Sequence, residues 1–169
     1  MMSSWQVATA AEAIAAAQFA RFGCQVSIQY GANQPEYDLM IDSNGRMLKI
    51  SVKGSQDGAW GLTQSWLKNK DYHGAADTWL RRNKPQTAIC LVQFKGVDDD
   101  QLPRVYLAWP TEILTMLKSA RGNKGNTILY EKHKWGPRAA GAGTTEQIPD
   151  EWKFTRLRLK TLLSANANS

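Results

Sequence analysis

Apolar and polar positions change their spacing several times along this chain, and each change marks an element. From Ala8 the run A-T-A-A-E-A-I-A-A-A-Q-F-A-R-F-G has high helix propensity. Thr9 precedes Glu12 with capping-box spacing and Gly23 falls where a helix would stop, so the first helix is predicted there, with Ile14, Ala17, Phe19 and Phe22 toward a sheet. Cys24 to Tyr30 alternates strictly and predicts a first strand. Tyr37 to Ile41 and Met47 to Val52 are rich in branched and aromatic residues, and Asp42-Ser43-Asn44-Gly45 between them tolerates tight-turn dihedrals, which predicts a β-hairpin. Strand side chains alternate, so Leu48, Ile50 and Val52 take one face and Lys49, Ser51 and Lys53 the other. Asp38 is early on one strand and Lys53 late on the next. Antiparallel pairing makes those ends neighbours and brings a carboxylate and an ammonium to one rim.

Further on, Gly54 to Gly61 reads as a glycine-rich loop with a single aromatic, and Leu62 to Arg82 holds a weak helical pattern around Trp66, Leu67, Ala75, Ala76, Trp79 and Leu80. Thr87 to Phe94 is almost continuously apolar, as expected of a central strand buried on both faces. Arg104 to Trp109 predicts another strand, and Pro110 to Lys118, with proline near its first position, a helix. Thr127 to Tyr130 predicts a short strand and Pro137 to Thr145 a flexible loop. The tail predicts a helix from Pro149 to Leu163, with Arg156, Arg158 and Lys160 on a basic face and Leu157, Leu159, Leu162 and Leu163 on an apolar one. This order predicts a single α/β domain over residues 1–169. A mixed central sheet flanked by helices would form a core over about residues 8–120, with 121–169 packed against it.

A length of 169 residues suits one domain with a sizeable core, and 43% hydrophobic against 21% charged residues excludes a disordered chain. No run reaches the length of a membrane span and no secretory signal opens the chain, so a soluble, cytoplasmic protein is expected. Cys24 and Cys90, both in apolar strand-like runs, fit buried thiols in a reducing compartment and make neither a zinc pattern nor a disulfide framework. Twenty-one Lys and Arg against 15 Asp and Glu give a net charge of +6, which favours a polyanionic partner. Lys68, Lys70, Arg81, Arg82 and Lys84 lie among tryptophans. They either track a phosphate backbone or form the solvated side of an aromatic stripe facing the core. His73 has no neighbouring ligand for zinc, the three aspartates from Asp98 lack the spacing of a calcium loop, and Lys132-His133-Lys134 adds a short basic patch.

The pair Pro35-Glu36-Tyr37-Asp38 and Ser51-Val52-Lys53, preceded by Glu12 on an alanine-rich helix, resembles the PD-(D/E)XK nuclease superfamily and its resolvase/homing-endonuclease-like branch. The likeness spans roughly residues 8 to 110 in element order. It implies a restriction-endonuclease-like α-β-β-β-α-β core and a DNA endonuclease dependent on Mg²⁺, with Mn²⁺ as substitute. In that likeness Asp38 holds the metal, Glu12 supports a metal-bound water, and Lys53 positions the attacking water or neutralises the phosphate. A glycine-rich loop after Lys53 would let DNA approach, and a homodimer would place two sites on one duplex. The position usually held by Glu, Asp or Gln is Ser51, which removes one carboxylate from the expected metal site. Two other readings therefore stay open: a nucleic-acid-binding module that kept the fold without catalysis, and a protein-interaction domain with an incidental basic surface. Glu12 also has a purely structural reading as the third residue of the Thr9 capping box.

Overall fold

The computed structural model describes residues 1–29, 37–83 and 86–166. The first helix, α1 (Ser4–Arg21), begins well before Thr9 because Ser3 and Gln6 form the capping box: the Gln6 amide donates to the Ser3 hydroxyl at 3.3 Å and the Ser3 amide to the Gln6 side chain at 2.8 Å. Gly23, at φ 87°, follows its end as expected. Glu12 consequently lies in mid-helix, and the capping explanation for it is corrected.

Strands β1 (Gln25–Ile28), β2 (Leu39–Ser43) and β3 (Arg46–Ser55) form an antiparallel meander, with Asn44 (φ 54°) and Gly45 (φ 78°) at the tip of the β2–β3 turn. The expected glycine-rich loop is shorter than its sequence suggests, because β3 runs on to Ser55 and Ala59–Gly61 forms a small strand, β4. The weak helical stretch also divides. A 3₁₀ turn at Gln64–Trp66 is followed by Asn69 and Lys70 with positive φ, and α2 (Tyr72–Arg82) starts only where the Asp71 side chain accepts the Gly74 amide.

Next, β5 (Thr87–Gln93) pairs parallel with β3 and is buried at every residue, and β6 (Arg104–Ala108) pairs antiparallel with β5. The main sheet runs β1-β2-β3-β5-β6, a mixed sheet in which α1, three strands, α2 and β5 follow the expected α-β-β-β-α-β order. After α3 (Pro110–Asn123), β7 (Ile128–Tyr130) pairs with β4. The basic patch becomes β8 (Lys132–Lys134), joined through the turns of residues 137–144 to β9 (Thr145–Gln147).

The predicted long C-terminal helix is instead a 3₁₀ turn (Asp150–Trp152), an extended Lys153-Phe154 segment lying against β6, and α4 (Arg156–Asn166). Its faces differ from expectation. Leu157 is exposed, whereas Arg158 is buried, pairs with Glu112 at 2.6 Å and donates to the Leu107 carbonyl at 3.0 Å, so the basic face keeps only Arg156 and Lys160.

Each face of the sheet carries its own apolar cluster. One joins Leu39, Ile41, Leu48, Ile50 and Val52 to Ala11, Ala15 and Phe19 of α1 and to Leu159, Leu162 and Leu163 of α4. The other joins Ile89, Leu91, Tyr106 and Ala108 to Ala76 and Trp79 of α2 and to Ile113 and Leu117 of α3, and no β2 or β3 residue belongs to it. Close approach of α1 depends on Gly54, where a Cβ would stand 2.8 Å from Val7 and 2.9 Å from Ala11. No described helix is long and apolar enough to cross a membrane.

Candidate active site

The β2–β3 register pairs Leu39 with Ile50, so Asp38, just ahead of β2, stands opposite Ser51. Its amide donates to the Ile50 carbonyl at 2.8 Å, still as part of the ladder. Its side chain then takes over where the ladder stops: Asp38 Oδ2 accepts the Val52 amide at 2.5 Å and the Ser51 hydroxyl at 3.3 Å. The carboxylate thus fills the place of a strand neighbour in the fork where β2 and β3 part. Both bonds land on one oxygen, and Oδ1 has no hydrogen bond among the described residues. Pro35 and Glu36 of the motif lie outside the described residues.

Two residues beyond Ser51, Lys53 is exposed on a backbone held from two sides. Its pairing with Leu91 belongs to the parallel β3–β5 ladder, and its carbonyl accepts the Trp60 indole N–H at 2.9 Å. Pinning the backbone on both flanks limits the freedom of Lys53 to its own flexible stem. Ser51, on the same strand face, is buried and committed to Asp38.

Glu12 joins this group from α1. It follows Ala11, which packs on Gly54, so the helix sets it beside the far end of β3. Its carboxyl titrates above the ordinary value of 4.5, first because burial penalises the charge and next because the Asp38 carboxylate repels it, with the Lys53 ammonium offsetting part of the rise. The Glu12 carboxylate makes no hydrogen bond or ion pair among the described residues. Asp38 also helps burial push the Cys90 thiol up, which places its charge within reach of the core beneath β3. Glu12, Asp38 and Lys53 therefore share one electrostatic neighbourhood, and Ser51 adds a hydroxyl but no charge.

The donor set suits a hard divalent cation only in part. Mg²⁺ is commonly held by one or two carboxylates plus waters and substrate phosphates, a role Asp38 Oδ1 and Glu12 could fill. Among the described residues no three His, Cys, Asp or Glu side chains gather into a cage that would hold an ion unaided.

The basic residues predicted to bind nucleic acid lie in the α2 region. Lys68 and Lys70 are exposed in the turn before α2, Arg81 and Arg82 are exposed in its last turn, and Lys84 lies outside the described residues. Trp79 faces the second core, so the aromatic stripe is structural there, and Arg81 donates to Thr78 Oγ1 at 2.9 Å. The His73 Nε2 contacts the Asn123 carbonyl at 3.0 Å. Two contributors escaped the sequence reading: the Val52 amide that orients Asp38, and Trp60, which braces Lys53 from a strand in a different sheet. The alternation that pairs Asp38 with Ser51 contains the first, whereas no local signal marks the second.

No protein-family model, curated protein or solved structure matches the chain.

Proposed function

We propose that the β2–β3 fork is the active site of a metal-dependent DNA endonuclease of the PD-(D/E)XK kind. The observation that carries this reading is the Asp38 carboxylate fixed in the fork by Val52 and Ser51, with one oxygen free of hydrogen bonds among the described residues and with Glu12 and Lys53 in the same field. Asp38 Oδ1 and Glu12 would hold Mg²⁺ or Mn²⁺, which when bound supplies Lewis acidity at a phosphodiester. Lys53, exposed on a braced strand, neutralises charge on the phosphate or orients the water whose oxygen bonds to phosphorus as the ester P–O bond breaks. Ser51 orients Asp38 and supplies no charge. The net charge of +6 favours attraction to DNA.

A second reading has its own support. Ser51 replaces an acidic position and commits its hydroxyl to Asp38, as a fold retaining nucleic-acid binding without turnover would allow. Cleavage assays separate the two. Wild type should cut plasmid or branched DNA only with Mg²⁺ or Mn²⁺, and Asp38→Ala and Lys53→Ala should each lower the rate by roughly 10²-fold or more. Equal cleavage by wild type and both variants would assign the activity to a contaminant or another site, and absence of cleavage with retained DNA binding would favour the binding module.

A further inference from the structure

The opposite end of the same hairpin holds a cleft that the proposed nuclease chemistry does not use. Its volume is about 410 Å³, within the range of small-ligand sites. Phe22 of the α1 end and Leu159 and Leu163 of α4 give it an apolar floor, and Arg46, Arg156 and Lys160 bring three cations to its walls. Arg156, Leu159, Lys160 and Leu163 share one helix face by their spacing, while Ser43 and Asn44 contribute a hydroxyl and an amide from the β2–β3 turn.

Among the described residues the lining contains no acid. Asp42, adjacent in sequence to Ser43, points its carboxylate at the Gly45 amide at 2.8 Å. The cations are placed by neutral groups instead. Arg156 donates to the Phe22 carbonyl at 3.3 Å with its guanidinium 4.9 Å from the Phe22 ring centroid, and Arg46 reaches Ser164 Oγ at 3.5 Å. A guanidinium has five N–H donors, so each arginine keeps most of its donors for something else. None of the three cations makes an ion pair among the described residues. The walls are tied together by Asn166, which donates to the Met47 carbonyl at 2.8 Å and fastens the end of α4 to the start of β3.

We propose that this cleft binds a phosphate monoester. Three cations with no ion pair among the described residues call for more than one negative charge, and a monoester carries about −1.5 to −2 at neutral pH, whereas a carboxylate or a backbone diester carries one. Two arginines offer paired N–H donors that match phosphate oxygens, and the apolar floor accepts the uncharged body of a nucleotide-sized ligand. The monoester comes either from a free nucleotide or from the terminal phosphate of a nucleic-acid strand. β2 separates the cleft from Asp38 by about 17 Å at the usual rise per residue, so the inference stands apart from the chemistry of the fork.

Calorimetric titration with AMP, with adenosine, and with two otherwise identical oligonucleotides ending in a 5′-phosphate or a 5′-hydroxyl tests it. Wild type should bind AMP or the phosphorylated strand saturably and ignore their unphosphorylated counterparts. AMP binding alone identifies a free nucleotide as the source, and preference for the phosphorylated strand identifies a strand end. Arg46→Glu and Lys160→Glu should each weaken binding by roughly tenfold. Lys160→Gln, whose native side chain holds no partner among the described residues, supplies a variant with an unchanged melting temperature. No saturable binding by wild type, equal binding of the unphosphorylated compounds, or affinity unaltered in a folded Lys160→Gln/Arg46→Glu double variant would overturn the proposal.

Discussion

Glu131 and Glu12 are both partly buried carboxylates, and their surroundings treat them in opposite ways. Glu131 receives two N–H groups of Arg104, at 2.7 and 2.9 Å, and the Tyr106 hydroxyl at 2.6 Å. Burial alone would raise its pKa, but the guanidinium and phenol outweigh that cost and hold it below the ordinary glutamate value. Glu12 is raised by burial and by Asp38, with the Lys53 charge set against them. The first carboxylate belongs to a closed network with its charge already answered. The second shares an open one with the Asp38 carboxylate, whose charge raises its pKa further. The two carboxyl groups are thus shifted in opposite directions, Glu131 by partners that answer its charge and Glu12 by a neighbour that repeats it.

Removing the closed network should give the largest change in stability. Glu131→Ala leaves Arg104 and the Tyr106 hydroxyl without their acceptor and should cost about 1–2 kcal/mol, discounted because the Arg104 side chain is 41% exposed. Thermal unfolding should show a drop of a few degrees. Cleavage per folded molecule should stay at the wild-type rate, and a loss as deep as that of Asp38→Ala would show that the two carboxylates are not functionally separate.

Sharpening the open network comes next. Ser51→Glu places a further carboxylate against Asp38, which should lower the melting temperature in chelator and restore it with Mg²⁺ as metal affinity rises by about tenfold. If the fork limits turnover by its weak metal site, cleavage rises as well. If the protein only binds, the added charge repels phosphate and DNA affinity falls. A variant matching wild type in metal binding, DNA binding and cleavage would mean that position 51 does not face the site.

The smallest effect is a pH dependence of opposite sign at the two glutamates. A raised carboxyl pKa means that the folded protein binds the proton more readily than the unfolded chain, so the stability it confers is present below the ordinary value of 4.5 and is lost as pH rises through the folded-state value. The lowered pKa of Glu131 confers stability above the ordinary value that is lost on acidification. Glu12→Gln should therefore flatten the decline in melting temperature just above 4.5, and saturating Mg²⁺ should flatten it in wild type. A Glu12→Gln curve parallel to wild type throughout would remove Glu12 from the charged group.

The hairpin was readable because its information is local. Asn44-Gly45 encodes the turn, the alternation of Leu48, Ile50 and Val52 sets the register, and these together place Asp38 opposite Ser51. The continuous apolar run from Thr87 likewise foretells a strand buried on both faces. Errors fell where distant contacts choose between equal local signals. Ser3-Gln6 and Thr9-Glu12 both have capping-box spacing, and the earlier one begins the helix, whose added turn buries Val7 against Gly54. Arg158 fits a solvated basic stripe by periodicity, but Glu112 and the Leu107 carbonyl, 46 and 51 residues away, draw it inside. Leu157 is left exposed in exchange. Trp60 is a further case, since its bond to Lys53 exists only once β4 has found β7.

The glycine next to Lys53 gives the helix and strand a fixed clearance. With Cβ positions under 3 Å from both Val7 and Ala11, residue 54 acts as a shim of zero thickness between α1 and β3. Alanine there would have to lift the helix, and Glu12, one residue past Ala11, would ride with it while Lys53 stayed anchored to its ladder. The distance between a carboxylate-bearing helix and a cation-bearing strand is thus gauged by an atom that is missing, at a position with no reactive group of its own.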